Sequence, residues 1–552
     1  MFQEKYHQIE RMLQACTGEE DVLLTTGGDH ADLASTVAFK LAKQRRRAPH
    51  LIAGEIAETL AADLDDIQVE ATGPYINFRF GPSLLGRAVR EALEPGYGSH
   101  PRRSERVVLE HTSANPNGPL HVGHIRNTVI GDSLVRAFRK AGYPLEAQYY
   151  LNDMGRQVAI VAWGLDHLDI VRNEDEKEDH YVARVYVTAN REIQENPGIT
   201  DEIDHLMQEV ERGDPETSKK FRAAVSLCVS GIKTTLAALN AHHDRFAWES
   251  DFIRIGDVDR VIEQIRRLPQ AHEDETLWVD LTEQGFEKKY ILRRSDGTSV
   301  YSTRDLAYHT WKGRNFDRMI DVLGADHKLI GAQLQATLGL IGEKPPEIVY
   351  FEFVSLPEGA MSTRAGKFVS ADDLIEEVTA KAFEEVTVRR PELPEEERRA
   401  IAGSVAIAAI RYDIVKVSPE KSTVFDWVEA LNFERQSGPY IQYAHARACS
   451  ILEKAGEFEP AYHYETDHEI ALARHIARFP AVIEEVVTEL RPHHLATFAR
   501  ELADLFNAFY HYDPVLKSEG ETRSSRLALV DAVRNTLKES LETLGIDALR
   551  SM

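Results

Sequence analysis

The stretch Glu110–Asn127, EHTSANPNGPLHVGHIRN, constrains the chain more than any other. It follows an apolar run, Val107-Val108-Leu109, of the kind that forms a buried parallel strand. It precedes Ile125, Val129, Ile130, Leu134, Val135 and Phe138 at helical spacing, ending near Gly142, a natural helix stop. The order is strand, loop, helix. Pro116 and Pro119 stiffen the loop and block early helix formation. His121 and His124 then stand at the helix entrance, on either side of Val122-Gly123. A helix N-terminus offers unpaired N–H groups and a positive dipole end, which suits a phosphate chain. Two imidazoles three residues apart can face one ligand and add donors. Gly123 lets a flat base or ribose approach the backbone. The plain alternative is two surface histidines flanking a turn. The preceding strand, the proline-rich loop and Asn115 argue against it.

Composition removes several other classes. A chain of 552 residues is long enough for three or four domains. No apolar run reaches the ~18 residues of a membrane span, and the N-terminal MFQEKYHQIERML lacks a signal-peptide core. Cys16, Cys228 and Cys449 are far apart, which fits neither a disulfide framework nor a zinc site. A cytoplasmic protein with no membrane partner and no dedicated metal site is expected. The net charge of −25 opposes nucleic-acid binding in bulk. Local basic clusters, such as Lys43–Arg47, Arg102-Arg103 with Arg106, and Arg389-Arg390, still permit it.

HVGH after SANPNGPL resembles the first signature of class I aminoacyl-tRNA synthetases, and its flanks resemble arginyl-tRNA synthetase. Met361-Ser362-Thr363-Arg364-Ala365-Gly366-Lys367-Phe368-Val369 matches the MSTRxGxxV form of that family's second signature. Further matches follow in order: YYLNDMG from Tyr149, SDGT from Ser295, YSTRD from Tyr301, GADH from Gly324, and the ending GIDALR from Gly545. Together they span essentially the whole chain, and their collinearity is more specific than any one of them.

The expected fold is multi-domain α/β. Residues 1–100 form an α+β domain, with a first helix carrying Phe2, Tyr6, Ile9 and Leu13 and a second carrying Leu33, Val37 and Leu41. Strand-like Ile67–Ala71 and Ile76–Phe80 flank a Gly73-Pro74 turn. Residues 101–400 form a doubly wound, parallel, Rossmann-like catalytic domain with a helical insertion at about 165–250. Its strands include Glu146–Leu151, Phe286–Arg294, Met319–Gly324 and Ile348–Val354. Residues 401–552 read as an all-α bundle, with stripes such as Ile441, Ala444, Ala448, Ile451 and Leu495, Phe498, Leu502, Phe509.

The resemblance implies a ligase for arginine and tRNA. Arginine's carboxylate attacks the α-phosphorus of ATP, pyrophosphate leaves, and the arginyl group passes to the tRNA 3′ end. It also implies that tRNA must bind before ATP and arginine react. His121, Gly123, His124 and Asp326 would bind ATP with Met361 and Lys367, and Mg2+ would accompany the nucleotide. Ser362, Thr363 and Arg364 would act on the phosphates with the two histidines. Here the lysine that opens this signature in many class I enzymes is replaced by Ala360 and their closing lysine by Arg364; a guanidinium can clamp phosphate bidentately, and Lys367 can supply an ammonium. Tyr301 and Asp305, four apart at a helix start, can face one ligand; the family match assigns them the substrate side chain, with Glu249 as a second carboxylate. Glu110 and Asn115 would hold the α-amino end, assisted by His327. For tRNA the candidates are Asn77 and Phe80 in the first domain, and Tyr440, Tyr443, Tyr510 and Met552 in the bundle. A monomer is expected. A class I lysyl enzyme, a small-molecule nucleotidyltransferase and an inactive tRNA-binding paralogue remain as other readings.

Overall fold

The computed structural model describes residues 1–28, 31–287, 289–294, 299–357 and 369–552. Its first unit is an antiparallel sheet. β1 (Leu24–Thr26), β2 (Leu33–Ser35), β3 (Ile67–Thr72) and β4 (Tyr75–Phe80) lie in the order β1-β2-β4-β3. β3 and β4 form a hairpin through Gly73, whose φ of 58° favours glycine. Helices Phe2–Thr17, Val37–Arg45, Pro49–Ala61 and Pro82–Ala92 accompany the sheet. Ile9, Leu13, Leu33, Ile52, Ile76 and Phe78 are buried between them. The expected second helix is corrected at its start. Leu33 belongs to β2, where it pairs with Phe78, and the helix begins at Val37. A buried strand residue four positions before a helix mimics the helical spacing.

The central sheet is parallel throughout. β5 (Val107–Glu110), β6 (Leu145–Leu151) and β7 (Arg245–Trp248) are followed by a small antiparallel sheet of β8 (Ala271–Glu273), β9 (Leu277–Val279) and β10 (Tyr290–Arg293). β11 (Arg318–Gly324) and β12 (Glu347–Phe351) then complete the order β12-β11-β5-β6-β7. Each hydrogen-bonded pair in this sheet is parallel. Val107, Val108 and Leu109 are fully buried, as a strand covered on both faces requires. The order reverses at β5. Its following helix, Val122–Lys140, leads to β6 on one side, while β11 lies on the other. Ligands of such sheets bind beyond the strand ends at that reversal. Helices Glu178–Glu195, Ile199–Glu211 and Pro215–Ala238 fill the passage from β6 to β7.

The expected strand Ile348–Val354 breaks in two. β12 ends at Phe351; β13 (Val354–Ser355) leaves the sheet to pair with β14 (Thr423–Val424). The backbone between them is captured: Glu352 N donates to the Pro419 carbonyl at 2.9 Å, and Thr423 N to the Phe353 carbonyl at 3.2 Å.

Helices Glu395–Val415, Gly438–Ala455, Asp467–Glu489, His493–Tyr512 and Gly520–Thr543 form the C-terminal bundle. Ile441, Ala448, Leu502, Phe506, Phe509, Leu537 and Leu541 fill its core. Pro480 lies inside the third of these helices and cannot donate to the Ile476 carbonyl; the Tyr97 hydroxyl does so instead, at 3.0 Å. Arg411 joins bundle to catalytic sheet. Fully buried, it donates to the carbonyls of Leu544 (2.8 Å) and Leu239 (2.7 Å) and to Asp132 (2.6 Å) of the Val122–Lys140 helix. Among the described residues, no helix is long and apolar enough to cross a membrane.

Candidate active site

The loop after β5 leaves the sheet through strained backbone. Thr112 and Ser113 have φ of 69° and 37°, a left-handed conformation that a β-branched residue avoids. Side chains of the next helix hold it there. Asn127 Oδ1 accepts from Thr112 N at 2.8 Å, and Asn127 Nδ2 donates to the Val322 carbonyl of β11 at 3.0 Å. The hydroxyls of Thr112 and Thr128 share a bond of 2.9 Å. Ser113 Oγ donates to Glu110 at 3.0 Å and accepts from Tyr150 N at 3.0 Å. The loop is thereby fixed across the ends of β5, β6 and β11.

His121 is the N-cap of the Val122–Lys140 helix. Its Nδ1 accepts from the amides of Gly123 (3.0 Å) and His124 (3.4 Å), and His124 Nδ1 accepts from His121 N at 3.2 Å. A ring nitrogen that accepts carries no proton, so each imidazole bears its hydrogen on Nε2. Burial keeps both rings neutral: it lowers the pKa of His121 and brings His124 down to about 3. The rings stack at 3.6 Å. Each can offer one Nε2–H donor beside the helix's own amides. A Cβ on Gly123 would lie 2.9 Å from His121 Cε1 and 3.1 Å from Nδ1. The space the sequence reserves for a ligand is first of all the space of that ring.

Met361, Ser362, Thr363, Arg364 and Lys367 lie outside the described residues, as does the SDGT turn at 295–298. The chain downstream of the second signature is fastened to the first. Ser370 bridges to His121, and Ala371 N donates to the Leu120 carbonyl at 2.7 Å. Ser370 also caps helix Ala371–Arg389, in reciprocal bonds with Asp373. Asp372, one residue into that helix, accepts from Lys177 (2.5 Å), His180 (2.8 Å) and Thr235 (2.8 Å) of the insertion. Against the opposing pull of burial, these bonds hold its pKa at about 2. Asp326 and His327 are exposed on the turn Ala325–His327, directly beyond β11, with His327 Nε2 3.7 Å from Asp326 Oδ2.

The residues proposed to hold the amino acid stand at the starts of helices Tyr301–Asn315 and Glu249–Arg254. Tyr301 borders a cavity of about 240 Å³ with Gly155, Glu211, Ser299 and Arg304. The Tyr301 hydroxyl and Asn152 Oδ1 both crowd the position of a Cβ on Gly155, at 2.8 and 3.1 Å. Asn115 Oδ1 accepts from Asn152 Nδ2 at 3.4 Å. Glu249 is 1% exposed, with Arg304 3.5 Å from its Oε1. Burial raises its pKa to about 7, Arg304 opposing. Glu249 Oε2, the Tyr150 hydroxyl and Asn152 Oδ1 are buried without hydrogen-bond partners. Asp305 is half-buried and meets His309 Nδ1 at 3.2 Å.

Glu110 is already engaged on both oxygens: Lys312 Nζ donates to Oε2 at 2.9 Å and Ser113 Oγ to Oε1 at 3.0 Å, and each oxygen keeps a lone pair for a further donor. One expectation is corrected. Phe80 is 1% exposed and packs edge-on against Phe2, centroids 5.4 Å apart, so it presents no face to a base. Asn77, beside it on β4, donates to Thr72 Oγ1 at 3.1 Å. In the bundle, Tyr440, Tyr443 and Met552 line one cavity of about 700 Å³ with Arg447 and Asn507. Tyr440 is anchored there, donating to Asp504 at 2.7 Å and accepting from Asn507 at 2.8 Å. Tyr443 and Tyr510 are exposed, and the Arg447 guanidinium lies over both rings at 4.8 and 5.5 Å.

Several working residues were not singled out from the sequence. Arg126, fully buried, donates to the carbonyls of Phe353, Ser418, Pro419 and Lys421 at 2.6–3.4 Å. His309, Lys312 and Tyr150 also belong to the site. Their signal was a polar side chain on a helix face or strand that periodicity assigns to the interior.

A parallel sheet with HVGH capping the helix after its reversal strand, and a helical bundle behind it, is the arrangement of class I aminoacyl-tRNA synthetases. Residues 90–427 match the family model of the tRNA synthetases class I (R) catalytic domain. Residues 6–80 match the arginyl tRNA synthetase N terminal domain, and 441–552 the DALR anticodon binding domain. The chain is 67% identical over 550 residues to a protein of Methanoregula boonei named arginine–tRNA ligase, covering 99% of each. It is 65% identical to the protein of the same name from Methanosphaerula palustris, covering 100% of each. Thermus thermophilus arginyl-tRNA synthetase superposes with a TM-score of 0.89 at 31% identity, with 100% of both chains covered. The chain belongs to the arginyl-tRNA synthetase family.

Proposed function

We propose that the protein is an arginine–tRNA ligase: it activates arginine with ATP, releasing pyrophosphate, and transfers the arginyl group to the 3′ end of its tRNA. The observation that carries the choice of arginine is the set of buried, unpartnered acceptors, Glu249 Oε2, the Tyr150 hydroxyl and Asn152 Oδ1, close to Asp305. A guanidinium brings five N–H donors and a permanent charge, which is what such a set lacks. Adenylate formation needs no protein nucleophile, only in-line placement and stabilisation of phosphate charge. His121 and His124 supply neutral N–H donors for that task. Ser362, Thr363 and Arg364 act from the segment whose downstream end is pinned at His121, with Met361 and Lys367 on the nucleotide. Asp326 joins them on the nucleotide, and His327 assists at the arginine α-amino end.

ATP enters as its Mg2+ complex. Among the described residues, the carboxylate–histidine clusters at the site, Glu110–His309–Asp321 and Asp179–His180–Asp372, already hold the ammonium groups of Lys312 and Lys177. The metal is read as travelling with the phosphates, as part of the substrate. The exposed Tyr443–Arg447–Tyr510 stack and its cavity with Tyr440 and Met552 serve the anticodon, through stacking on unpaired bases; Asn77 contacts the tRNA from the first domain. The protein is read as a monomer in the cytoplasm; three unpaired thiols fit a reducing compartment and do not bear on the oligomeric state. The test is arginine-dependent ATP–pyrophosphate exchange, with and without tRNA. Exchange driven by arginine and not by lysine is expected; exchange with lysine, or none with any amino acid and tRNA, refutes the reading.

A further inference from the structure

Beneath the proposed pocket lies a continuous chain of buried charges. Helix Tyr301–Asn315 carries Asp305, His309 and Lys312 on one face, β11 carries Asp321, and β5 carries Glu110. Glu110 and Asp321 are direct partners in the parallel register. Lys312 Nζ sits between them, 2.9 Å from Glu110 and 2.7 Å from Asp321. The Tyr308 ring covers the ammonium at 4.3 Å, and Tyr150 stacks on Tyr308 at 4.5 Å. His309 Nε2 lies 2.7 Å from the other Asp321 oxygen; its Nδ1 lies 3.2 Å from Asp305 Oδ1 and 2.8 Å from the Asp305 carbonyl.

Every partner of the His309 ring is an acceptor, so both nitrogens must donate, and the ring is an imidazolium. The surrounding charges agree: although burial and Lys312 oppose it, Asp321 and Asp305 raise the His309 pKa to about 10. Burying such a cation is expensive unless each hydrogen finds an acceptor. A fold that needed only stability would be served as well by an apolar side chain here. What the imidazolium adds is a fixed position for one carboxylate, that of Asp305, the one member of the cluster that is not buried.

We propose that His309, and through Asp321 also Lys312, are positioning residues for arginine: they act as a buried cationic brace that orients Asp305 toward the guanidinium. The cluster sets three carboxylates against two cations, so it is one positive charge short until a cationic substrate arrives. The brace thus holds Asp305 in place without neutralising the whole site. This inference rests on the reading of Asp305 as a guanidinium ligand.

The experiment is ATP–pyrophosphate exchange, with tRNA present, for wild type, Asp305→Asn, His309→Gln and the double variant. His309→Gln should raise the KM for arginine about tenfold, with the KM for ATP within about twofold of wild type. Citrulline, neutral but of the same shape, should compete better than against wild type. Because His309 acts through Asp305, its substitution should add nothing in the Asp305→Asn background. If Asp305→Asn raises the arginine KM and His309→Gln does not, the brace is refuted and the pocket stands. If Asp305→Asn itself changes nothing, both fall. A second measurement needs no variant to fold: nitrogen NMR of histidine-labelled wild type should show a doubly protonated His309 at pH 8, and a neutral ring there overturns the inference.

Discussion

Replacing Gly123 with alanine separates stability from chemistry at the first signature. The added methyl would lie 2.9 Å from His121 Cε1 and 3.1 Å from its Nδ1, so the ring must turn away. Two backbone amides, those of Gly123 and His124, then lose their acceptor. Loss of an N-cap costs about 1 kcal/mol. Alanine in place of glycine within a helix returns roughly 1 kcal/mol. Stability should therefore change by less than about 1 kcal/mol, and the melting temperature by only a few degrees. Catalysis has no such compensation. The displaced imidazole removes a donor from the phosphates and unstacks His124, whose ring lies 3.6 Å away. Losing one transition-state donor lowers the rate about 10²–10³-fold, or ~3–4 kcal/mol. The assay is arginine-dependent pyrophosphate exchange with tRNA, alongside thermal melts. The KM for arginine should stay near wild type, since the pocket lies across the crevice. A Gly123→Ala protein with wild-type turnover would refute the role given to His121. So would a protein that lost activity only by unfolding.

Glu249 gives a pH signature. Its folded pKa of about 7 lies above the 4.5 of a free glutamate, a shift worth on the order of 3 kcal/mol. The folded state binds the proton more tightly, so this contribution is complete below about pH 4.5 and is lost as pH rises through 7. Urea melts between pH 5 and 8 should show that slope, and Glu249→Gln should flatten it. A guanidinium favours the carboxylate, so the KM for arginine should rise as pH falls below 7 in wild type but not in the variant; equal pH profiles would remove Glu249 from the pocket. Tyr443→Ala should raise the KM for tRNA about five- to hundredfold, the range of one lost base stack, with the melting temperature unchanged because the ring is exposed. A tRNA KM within twofold of wild type would move the anticodon contact elsewhere.

The architecture was legible because its elements write themselves in local patterns. Val107–Leu109 is buried on both faces and reads as a continuous apolar run; the bundle helices keep one apolar stripe each. Leu33 misled because its burial comes from pairing with Phe78 across the sheet, a partner 45 residues away that no local window contains. β12 ended early for a similar reason: the Pro419 carbonyl captures Glu352 N. At the site, the motifs marked residues but not their partners. Glu110 looked like a free carboxylate in the sequence. Only the register of β5 against β11 and the reach of Lys312 show that it is engaged. His309 and Lys312 belong to no motif; their role comes from three elements converging.

Arg126 differs from most cations of this protein in what surrounds it. Its four acceptors are backbone carbonyls, from the segment leaving the sheet and from the entrance to the bundle. Dissolved ions compete with a surface ion pair over a Debye length of about 8 Å. They have little purchase on a guanidinium sealed among peptide dipoles. A polyanion held by exposed arginines is in the opposite position, since its affinity falls steeply with added electrolyte. Rising ionic strength therefore strips a bound nucleic acid from this protein well before it loosens the joint at Arg126, and the empty enzyme keeps its shape in brine that its complex does not survive.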